Sequence, residues 1–378
     1  MDSPSALRVL HVVSRLGTYG AENFVRELAL AQGSTGIRAA VLTMYDSPLP
    51  SRPDLIELPV RRRGAGHLTF LPRMIGTIRD FRPDLVHTHV HNGKYWGRAA
   101  AIAAGVQAIV HTEHNSDYRF GAVARLGNRI LHPLTNRVAV FTQTQATALL
   151  QAEPLRPEQL AIIPNGICPE PPASASDRAR VRSRLGLSPD DLVVFHVGRF
   201  EAVKNQRLAL RVFLGLATSL PRARLVFLGD GYDRVALERE RDSLGLRASV
   251  AFLGFQPNVR ELLAAADALL VTSTNEAMPI AALEALFAGV PVVSTPWNGA
   301  DDVLLGAGAI AAGWAPADVE RALFGVLTDP IRRDQLVERG LQLANERYRI
   351  GATVMAYRRL YDDVLASITE RSARKAHA

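Results

Sequence analysis

The sequence has little cysteine and few aromatic residues. Cys168 is the one cysteine among 378 residues, which excludes an intrachain disulfide. No run of eighteen apolar residues occurs, and Met1 to Ser5 is too short and polar for a secretory signal, so we expect a cytoplasmic protein without membrane-spanning helices. Aromatic residues make up 6% of the chain and form no stacking platform beside the basic residues. Nucleic acid is therefore not the expected partner.

The length and charge of the chain indicate the number of domains and the kind of partner. A chain of 378 residues is long for one core and predicts two domains. A hydrophobic fraction of 48% with 21% charged residues is typical of a folded globular protein. The net charge of +7 favours an acidic partner, such as a phosphorylated substrate or an anionic membrane.

One basic segment has two interpretations. Arg61, Arg62 and Arg63 precede a stretch, residues 70–82, that mixes apolar side chains with three more arginines. We favour a helix that packs its apolar side on the core and exposes its basic side. The alternative is peripheral docking on the inner face of an anionic membrane.

The first half of the chain alternates strand and helix patterns. Strands are predicted at Leu7 to Val13, Ala40 to Met44, Asp84 to His89, Ala108 to His111 and Val138 to Thr144. This alternation predicts an α/β fold with a doubly wound parallel sheet, in which functional residues gather at the carboxyl ends of the strands.

A glycine loop follows the first strand. Gly17 and Gly20 do not complete the dinucleotide-binding fingerprint, so we reject a dehydrogenase. The two glycines would let the backbone approach a phosphorylated ligand, or they serve only a tight turn.

Histidines cluster after two later strands. His87, His89 and His91 alternate and could share one face of a strand, so we considered a zinc site; we do not favour one, because no cysteine or aspartate cluster joins them. His114 lies in the polar loop after the next strand, where it could donate to a sugar or steer an acceptor hydroxyl.

The stretch from Val271 to Gly299 carries the strongest chemical signal. A strand ends at Val271 and a helix pattern begins at Pro279, which suits the first helical position. The free amides of Met278 and Ile280 then lie at a helix N-terminus, where an anion binds readily. Glu276 and Glu284, eight positions apart, flank this point. Two carboxylates around a phosphate site match a sugar nucleotide, whose diphosphate lies between two groups rich in hydroxyl donors.

A second pair of candidates follows the strand Leu192 to Val197. Arg199 and Lys204 would stand at the carboxyl end of this strand. A guanidinium and an ammonium together neutralise a diphosphate and a departing nucleotide.

These motifs resemble a known family. The two glutamates with Pro279 before the helix and Gly289-Val-Pro-Val-Val after it resemble the donor-site signature of retaining GT-B glycosyltransferases of family 4, also called group 1. Arg199 and Lys204 are similar to the diphosphate-binding pair of that family. The loop ending in Gly20-Ala-Glu is similar to its Gly-Gly-Ala-Glu loop, with Tyr19 replacing the first glycine. Ala277 replaces the usual glycine after the first glutamate, which is tolerable if its φ is negative.

The resemblance covers nearly the whole chain and implies two Rossmann-like domains facing a cleft. We expect an acceptor domain at 1–167, a linker at 168–185 and a donor domain at 186–350. Residues 351–378 would form a terminal helix that crosses back to the first domain, followed by a basic tail.

The resemblance also implies roles for the candidate residues. The expected catalytic residues are His114, at the reacting face, and Glu276, on the sugar hydroxyls. Glu284 would bind the ribose. The diphosphate would contact Arg199, Lys204 and the backbone around Ala277, Met278 and Ile280, while Gly17 and Gly20 approach the donor from the first domain.

The expected reaction moves a hexose with retention from a nucleoside-diphosphate sugar to an acceptor hydroxyl. No cofactor or metal ion is expected, and UDP-sugar is favoured over GDP-sugar as the donor. The expected acceptor is a glycan or a lipid-linked molecule of cell-surface polysaccharide or glycolipid assembly. The alternatives are a sugar-nucleotide epimerase of similar fold and a non-catalytic partner of a transferase.

Overall fold

The computed structural model describes residues 6–17, 20–47, 52–60, 67–118, 121–170 and 173–376. The chain divides into two compact units, one formed by Met1–Cys168 with Ile350–Ala378 and the other by Pro169–Arg349. Each unit has its own parallel sheet with helices, as the alternation of patterns predicts. Within the described ranges, no helix is both long enough and apolar enough to cross a bilayer.

The first unit contains a seven-stranded parallel sheet. Its strands are β1 (Leu7–Val13), β2 (Ile37–Thr43), β3 (Ile56–Pro59), β4 (Leu85–His89), β5 (Ile109–Thr112), β6 (Arg137–Val140) and β7 (Leu160–Ile162). Its helices, apart from the C-terminal one, are α1 (Gly20–Gln32), α2 (His67–Phe81), α3 (Val90–Asn92), α4 (Arg98–Ala104), α5 (Ala122–Leu131) and α6 (Gln143–Ala152). The spatial order of the strands is β3-β2-β1-β4-β5-β6-β7. The chain adds strands on one side of β1 up to β3 and on its other side from β4 onwards, so the strand order reverses between β1 and β4. In open parallel sheets, ligands bind beside the strand ends at such a reversal.

Helix α2 contains the apolar part of the basic segment. Phe70, Met74 and Ile78 recur at helical spacing and pack into the core cluster that includes Leu10 of β1. The favoured interpretation of this segment is therefore confirmed for α2: its apolar side is used in the core. Arg61, Arg62 and Arg63 lie outside the described residues.

The second unit contains a six-stranded parallel sheet. Its strands are β8 (Leu192–Val197), β9 (Ala223–Leu228), β10 (Val250–Phe252), β11 (Ala268–Val271), β12 (Val292–Ser294) and β13 (Gly308–Ile310). Its helices are α7 (Ala175–Arg184), α8 (Gln206–Ser219), α9 (Arg234–Ser243), α10 (Val259–Leu263), α11 (Ile280–Phe287), α12 (Ala300–Leu304), α13 (Pro316–Thr328) and α14 (Pro330–Arg347). The order β10-β9-β8-β11-β12-β13 places the reversal between β8 and β11. The loops that carry the predicted donor residues follow these two strands.

The C-terminal helix, α15 (Ile350–Ala376), belongs to the first unit although it follows the second in sequence. Its residues Val354 and Val364 pack in one core cluster with Val9 of β1. Two fully buried tyrosines on the same helix, Tyr357 and Tyr361, bring their hydroxyls into the polar end of the sheet. Burial of such aromatic side chains fixes the helix on the sheet.

The predicted linker, residues 168–185, is largely regular structure and needs correction. Helix α7 occupies most of it and belongs to the second unit. Ser174 is the N-cap of this helix, since its Oγ accepts a hydrogen bond from the Asp177 amide at 3.1 Å. Arg182 of α7 is buried and pairs with Asp267 at 2.7 Å. The helix is therefore part of the second unit's packing.

The strand predicted at Val138 to Thr144 is also shorter than expected. Strand β6 ends at Val140, and α6 begins three residues later at Gln143. Thr142 ends the extended segment because its hydroxyl accepts a hydrogen bond from the Gln145 amide at 3.0 Å and caps α6.

Candidate donor site and histidine cluster

Two of the predicted donor residues contact each other at the sheet reversal of the second unit. The ammonium of Lys204, in the loop after β8, lies 2.5 Å from Oε1 of Glu276, in the loop after β11. The Ser273 hydroxyl donates to the same oxygen at 2.6 Å. The side chain of Lys204 is 22% exposed and that of Glu276 is 12% exposed. The pair is therefore held in place and still open to a ligand.

The loop after β8 is fixed by its neighbours. The Thr272 hydroxyl, at the end of β11, hydrogen bonds the carbonyl of Lys204 at 2.9 Å. Gly229, after β9, has a φ of +144°, and a Cβ there would lie 1.9 Å from the carbonyl oxygen of Gly198. Glycine is therefore required where the loops after β8 and β9 meet. Arg199 lies in this fixed loop, with Nη1 3.9 Å from a carboxylate oxygen of Glu201.

Helix α11 begins one residue later than the sequence indicates. Ile280 is its first residue, and Pro279 is the cap, with φ −71° and ψ 113°. The carbonyl of Pro279 accepts the Ala282 amide at 3.0 Å, which leaves the amides before Ala282 at the helix N-terminus. Met278 and Ala277 are buried beside it. Ala277 is not among the non-glycine residues with positive φ in the described chain, so the added methyl group is tolerated there.

Glu284, inside α11, has a partner that the sequence pattern did not reveal. Its Oε1 lies 3.3 Å from Nε of Arg260 on α10, and Nη1 of Arg260 lies 3.2 Å from Glu170. Burial raises the pKa of Glu284, and the charge of Arg260 opposes that shift. Arg260 thereby supports a carboxylate at a poorly solvated position.

The glycine loop of the first unit is described only in part. A Cβ at Gly17 would lie 1.8 Å from Oε2 of Glu22, so the glycine makes room for that carboxylate. Glu22 also lies 3.4 Å from Arg15. Gly20 is the first residue of α1. Thr18 and Tyr19 lie outside the described residues, and the approach of this loop to a donor stays a prediction.

His114 belongs to a chain of histidines at the reversal of the first sheet. Its Nε2 lies 3.2 Å from Nδ1 of His89, whose Nε2 lies 3.0 Å from Nδ1 of His11. The chain ends at Gln32, whose amide oxygen lies 2.8 Å from Nε2 of His11. Burial lowers the pKa of His114 and of His11 to about 4. These imidazoles are therefore neutral at neutral pH.

Three histidines of this cluster could hold a metal ion, but not the three that the sequence suggested. Ring nitrogens of His11, His87 and His89 all lie within 4.8 Å of one another, and these side chains are fully buried. His91 lies on α3 and is exposed. The nitrogens of His87 also have hydrogen-bond partners, the hydroxyls of Tyr361 and Thr112, both at 2.7 Å. A metal ion would have to replace hydrogen bonds that the protein already makes.

A buried ion cluster holds the loop that carries His114. The ammonium of Lys94 lies 2.8 Å from Glu113 and 3.2 Å from Glu153. Opposite charges lower the pKa of Glu113 well below its usual range, although burial acts in the opposite direction. Oε1 of Glu113 accepts the Asn115 amide at 3.0 Å, and Gln145 binds the carbonyls on both sides of His114. The backbone at His114 is thus fixed from two directions.

The second sheet repeats the strand order of the first without its seventh strand, and two Rossmann-like parallel sheets of this kind are the GT-B fold. Residues 177–343 match the family described as glycosyl transferases group 1, and residues 18–170 match Glycosyltransferase Family 4. The chain belongs to glycosyltransferase family 4, a retaining family.

Known proteins similar to the chain agree with this assignment. The D-inositol 3-phosphate glycosyltransferase of Acidothermus cellulolyticus is 30% identical over 307 residues, which are 75% of this chain and 68% of that protein. The UDP-Gal:alpha-D-GlcNAc-diphosphoundecaprenol alpha-1,3-galactosyltransferase of Escherichia coli is 27% identical over 228 residues, 57% of this chain and 58% of the relative. The crystal structure of Anabaena Alr3699/HepE in complex with UDP-glucose matches with a TM-score of 0.80 at 21% identity, covering 96% of this chain and all of that chain.

Proposed function

We propose that this glycosyltransferase moves a hexose, with retention, from a UDP-sugar to a hydroxyl of a glycan or lipid-linked acceptor. The contact between Lys204 and Glu276 carries the proposal. An ammonium has three donors, so Lys204 can bind Glu276 and a phosphate oxygen at the same time. Glu276 keeps its second oxygen for the sugar hydroxyls, because no hydrogen bond from the described residues reaches Oε2.

The rest of the donor fits around this pair. The N-terminus of α11 and Arg199 would bind the diphosphate, and Glu284, held by Arg260, would accept the ribose hydroxyls. These charges stabilise a departing diphosphate, so we propose that the reaction needs no metal ion. We assign no carboxylate as a nucleophile; leaving-group-assisted attack on the same face, with His114 at the reacting sugar, accounts for retention.

The relatives support the choice of donor and acceptor. Alr3699/HepE has been crystallised with UDP-glucose, and the E. coli relative carries both UDP-Gal and a diphosphoundecaprenol acceptor in its name. We therefore favour UDP over GDP, and a lipid-linked acceptor of cell-surface polysaccharide or glycolipid assembly. An epimerase would form its product from the donor alone, and a non-catalytic partner would bind donor without turnover.

We expect uridine ligands to stabilise the full-length protein in thermal and calorimetric titrations. A ligand at about a hundredfold its Kd adds about 2.7 kcal/mol to the free energy of unfolding. UDP, GDP and their hexose derivatives are each titrated in the presence of EDTA and again in the presence of Mg²⁺. UDP and the UDP-hexoses should bind equally well under the two conditions. The Glu284→Gln variant should bind UDP about tenfold more weakly, since the ribose loses a charged acceptor.

Glu276→Gln distinguishes the contribution of the sugar to donor affinity from that of the nucleotide. This variant should keep its affinity for UDP and lose the additional affinity that the hexose provides. Glu346→Gln, an exposed change on α14, is the matched control and should alter neither. If no nucleotide or sugar nucleotide stabilises the folded wild type, the donor site is wrongly assigned and the partner alternative gains support.

We infer a candidate membrane-docking surface on α5, which differs from the basic segment considered in the sequence. On α5, Val123, Leu126 and Ile130 recur at helical spacing and are 86%, 60% and 58% exposed. Arg125 and Arg129 on the same helix are exposed as well. An apolar stripe beside two arginines suits the surface of an anionic bilayer, where a lipid-linked acceptor resides.

We expect the protein to float with vesicles that contain anionic lipid and to remain unbound with neutral vesicles. Replacing Leu126 and Ile130 with glutamine should abolish the flotation. The matched control is Ile331→Gln on α14, because Ile331 is 72% exposed. The Arg61/Arg62/Arg63 triple alanine variant tests the segment outside the described residues. Equal recovery of all proteins with both vesicle types would remove the membrane from the proposal.

A further inference from the structure

The hydrogen bonds around Gln32 determine where each histidine of the cluster carries its proton. An amide oxygen can only accept, so the 2.8 Å contact with Gln32 Oε1 requires a proton on Nε2 of His11. His11 is neutral, and its Nδ1 must then accept. The proton of the 3.0 Å contact between His11 and His89 therefore belongs to Nε2 of His89.

The same reasoning carries on to His114. A neutral His89 with a proton on Nε2 has an accepting Nδ1, and this atom lies 3.2 Å from Nε2 of His114. His114 must donate there, so its own Nδ1 carries the free lone pair. No hydrogen bond from the described residues reaches that Nδ1.

A tyrosine on the C-terminal helix holds the amide of Gln32 in this orientation. Nε2 of Gln32 donates to the Tyr361 hydroxyl at 3.2 Å, and that hydroxyl is 2.7 Å from Nδ1 of His87. A hydroxyl that accepts from Gln32 can donate to His87, whose Nε2 then donates to the Thr112 hydroxyl at 2.7 Å. Each of these buried polar atoms has a partner of the opposite kind.

We propose that Gln32 and Tyr361 are positioning residues that fix the tautomer of His114, with the proton on Nε2 and an unprotonated Nδ1 that accepts from a substrate hydroxyl. The tautomer follows from the first unit alone, whereas the identity of the hydroxyl rests on the proposed function. His114 thus steers a hydroxyl by accepting a hydrogen bond from it and does not donate to the sugar.

The chain of bonds has one alternative arrangement. If the amide of Gln32 were turned over, every proton in the chain would move to the other nitrogen, and His114 would carry its proton on Nδ1. A metal ion bound to Nε2 of His89 would have the same effect, because His89 would then be protonated on Nδ1. Both alternatives predict the opposite tautomer of His114.

The test is long-range ¹H–¹⁵N NMR of the full-length protein labelled in histidine, at neutral pH, with the signals of His114 assigned from the His114→Asn variant. The wild type should show an unprotonated Nδ1 and a protonated Nε2, with and without EDTA. A protonated Nδ1 would overturn the proposal whatever the enzyme's activity. Stoichiometric metal in the purified protein, with an EDTA-dependent change of the His114 signals, would overturn it as well.

Tyr361→Phe tests the positioning role and keeps the aromatic ring in the core. Without the hydroxyl, the Gln32 amide can turn, so the signals of His114 should shift from one tautomer to a mixture of both. Tyr357→Phe is the matched control: it removes a buried hydroxyl from the same helix, one bonded to Thr112 at 2.9 Å and not to Gln32. It should leave the His114 signals unchanged. A pure Nε2 tautomer in Tyr361→Phe would contradict the role of Tyr361.

The NMR result and the donor titration are independent. A fixed Nε2 tautomer in a protein that binds no nucleotide would refute the proposed function and leave the tautomer assignment intact. Nucleotide binding together with a protonated Nδ1 of His114 would refute the tautomer assignment and leave the proposed function intact.

Discussion

Replacing Lys204 with methionine is expected to lower donor turnover about 10²–10³-fold, the usual cost of removing one group that stabilises developing charge. The charge on the leaving diphosphate grows as the bond to the sugar breaks, and Lys204 is the ammonium held at the sheet reversal. The measurement is the rate of sugar-nucleotide hydrolysis at saturating donor, which requires no knowledge of the acceptor.

Stability should change little in the same variant. The Lys204 side chain is partly exposed, and such ion pairs contribute about 0–1 kcal/mol to the free energy of unfolding. Arg207→Met is the matched control. Arg207 lies three residues after Lys204, and the change removes a cation from its ion pair with Glu240. That control should turn over donor at the wild-type rate. A Lys204→Met protein as active as the control would show that this lysine does not bind the diphosphate.

A double variant separates direct from indirect effects. Because Lys204 and Glu276 are in contact, the losses in Lys204→Met and Glu276→Gln should not add in the double variant. Additive losses would mean that the contact between the two side chains does not contribute to turnover.

The two strands that precede the donor loops of the second unit were predictable from the sequence. Leu192–Val197 was predicted with its observed bounds, and β11 ends at Val271 as predicted, because strands covered on both faces are continuous apolar runs. Their loops were predicted to carry donor residues. The contact between Lys204 and Glu276 was not predicted, since it depends on β8 and β11 being neighbours in the sheet.

Polar partners distant in sequence could not be predicted. Arg260 is 24 positions from Glu284, and Lys94 is 59 positions from Glu153. Hydrophobic periodicity reports which face is buried and contains no information about such pairs. Val90, next to His89, has a φ of +49°, a conformation that a β-branched residue rarely adopts and that its own propensity would exclude. These features depend on the assembled core.

Acid is expected to unfold the first unit at a pH well above that at which carboxylates titrate. His11, His87, His89 and His111 are fully buried there, and burial lowers their pKa values, to about 4 for His11 and about 3 for His111. In the unfolded chain they titrate near 6.5. Below pH 6.5 the unfolded state therefore binds more protons, and the free energy of unfolding falls with pH until the folded pKa values are reached.

The expected effect is large because at least four groups act together. Each contributes about 1.4 kcal/mol per pH unit, so the slope approaches about 5 kcal/mol per pH unit near pH 5, against a total stability of about 5–15 kcal/mol. Glu113 adds to the loss at lower pH: its pKa is depressed in the folded state, so its contribution, present above the unfolded value of 4.5, disappears as the pH falls below it. We expect amides of β1 and β4 to lose their protection against hydrogen exchange between about pH 6 and 4.5.

Two histidine variants test the origin of this slope. His91 is exposed on α3, and His91→Gln is the matched control, which should leave the slope unchanged. His111→Gln should remove about one of the protons taken up on unfolding. The slope of the free energy of unfolding against pH should then fall by about 1.4 kcal/mol per pH unit. A first unit that keeps its exchange protection at pH 4 would show that burial lowers the pKa values of these histidines less than expected.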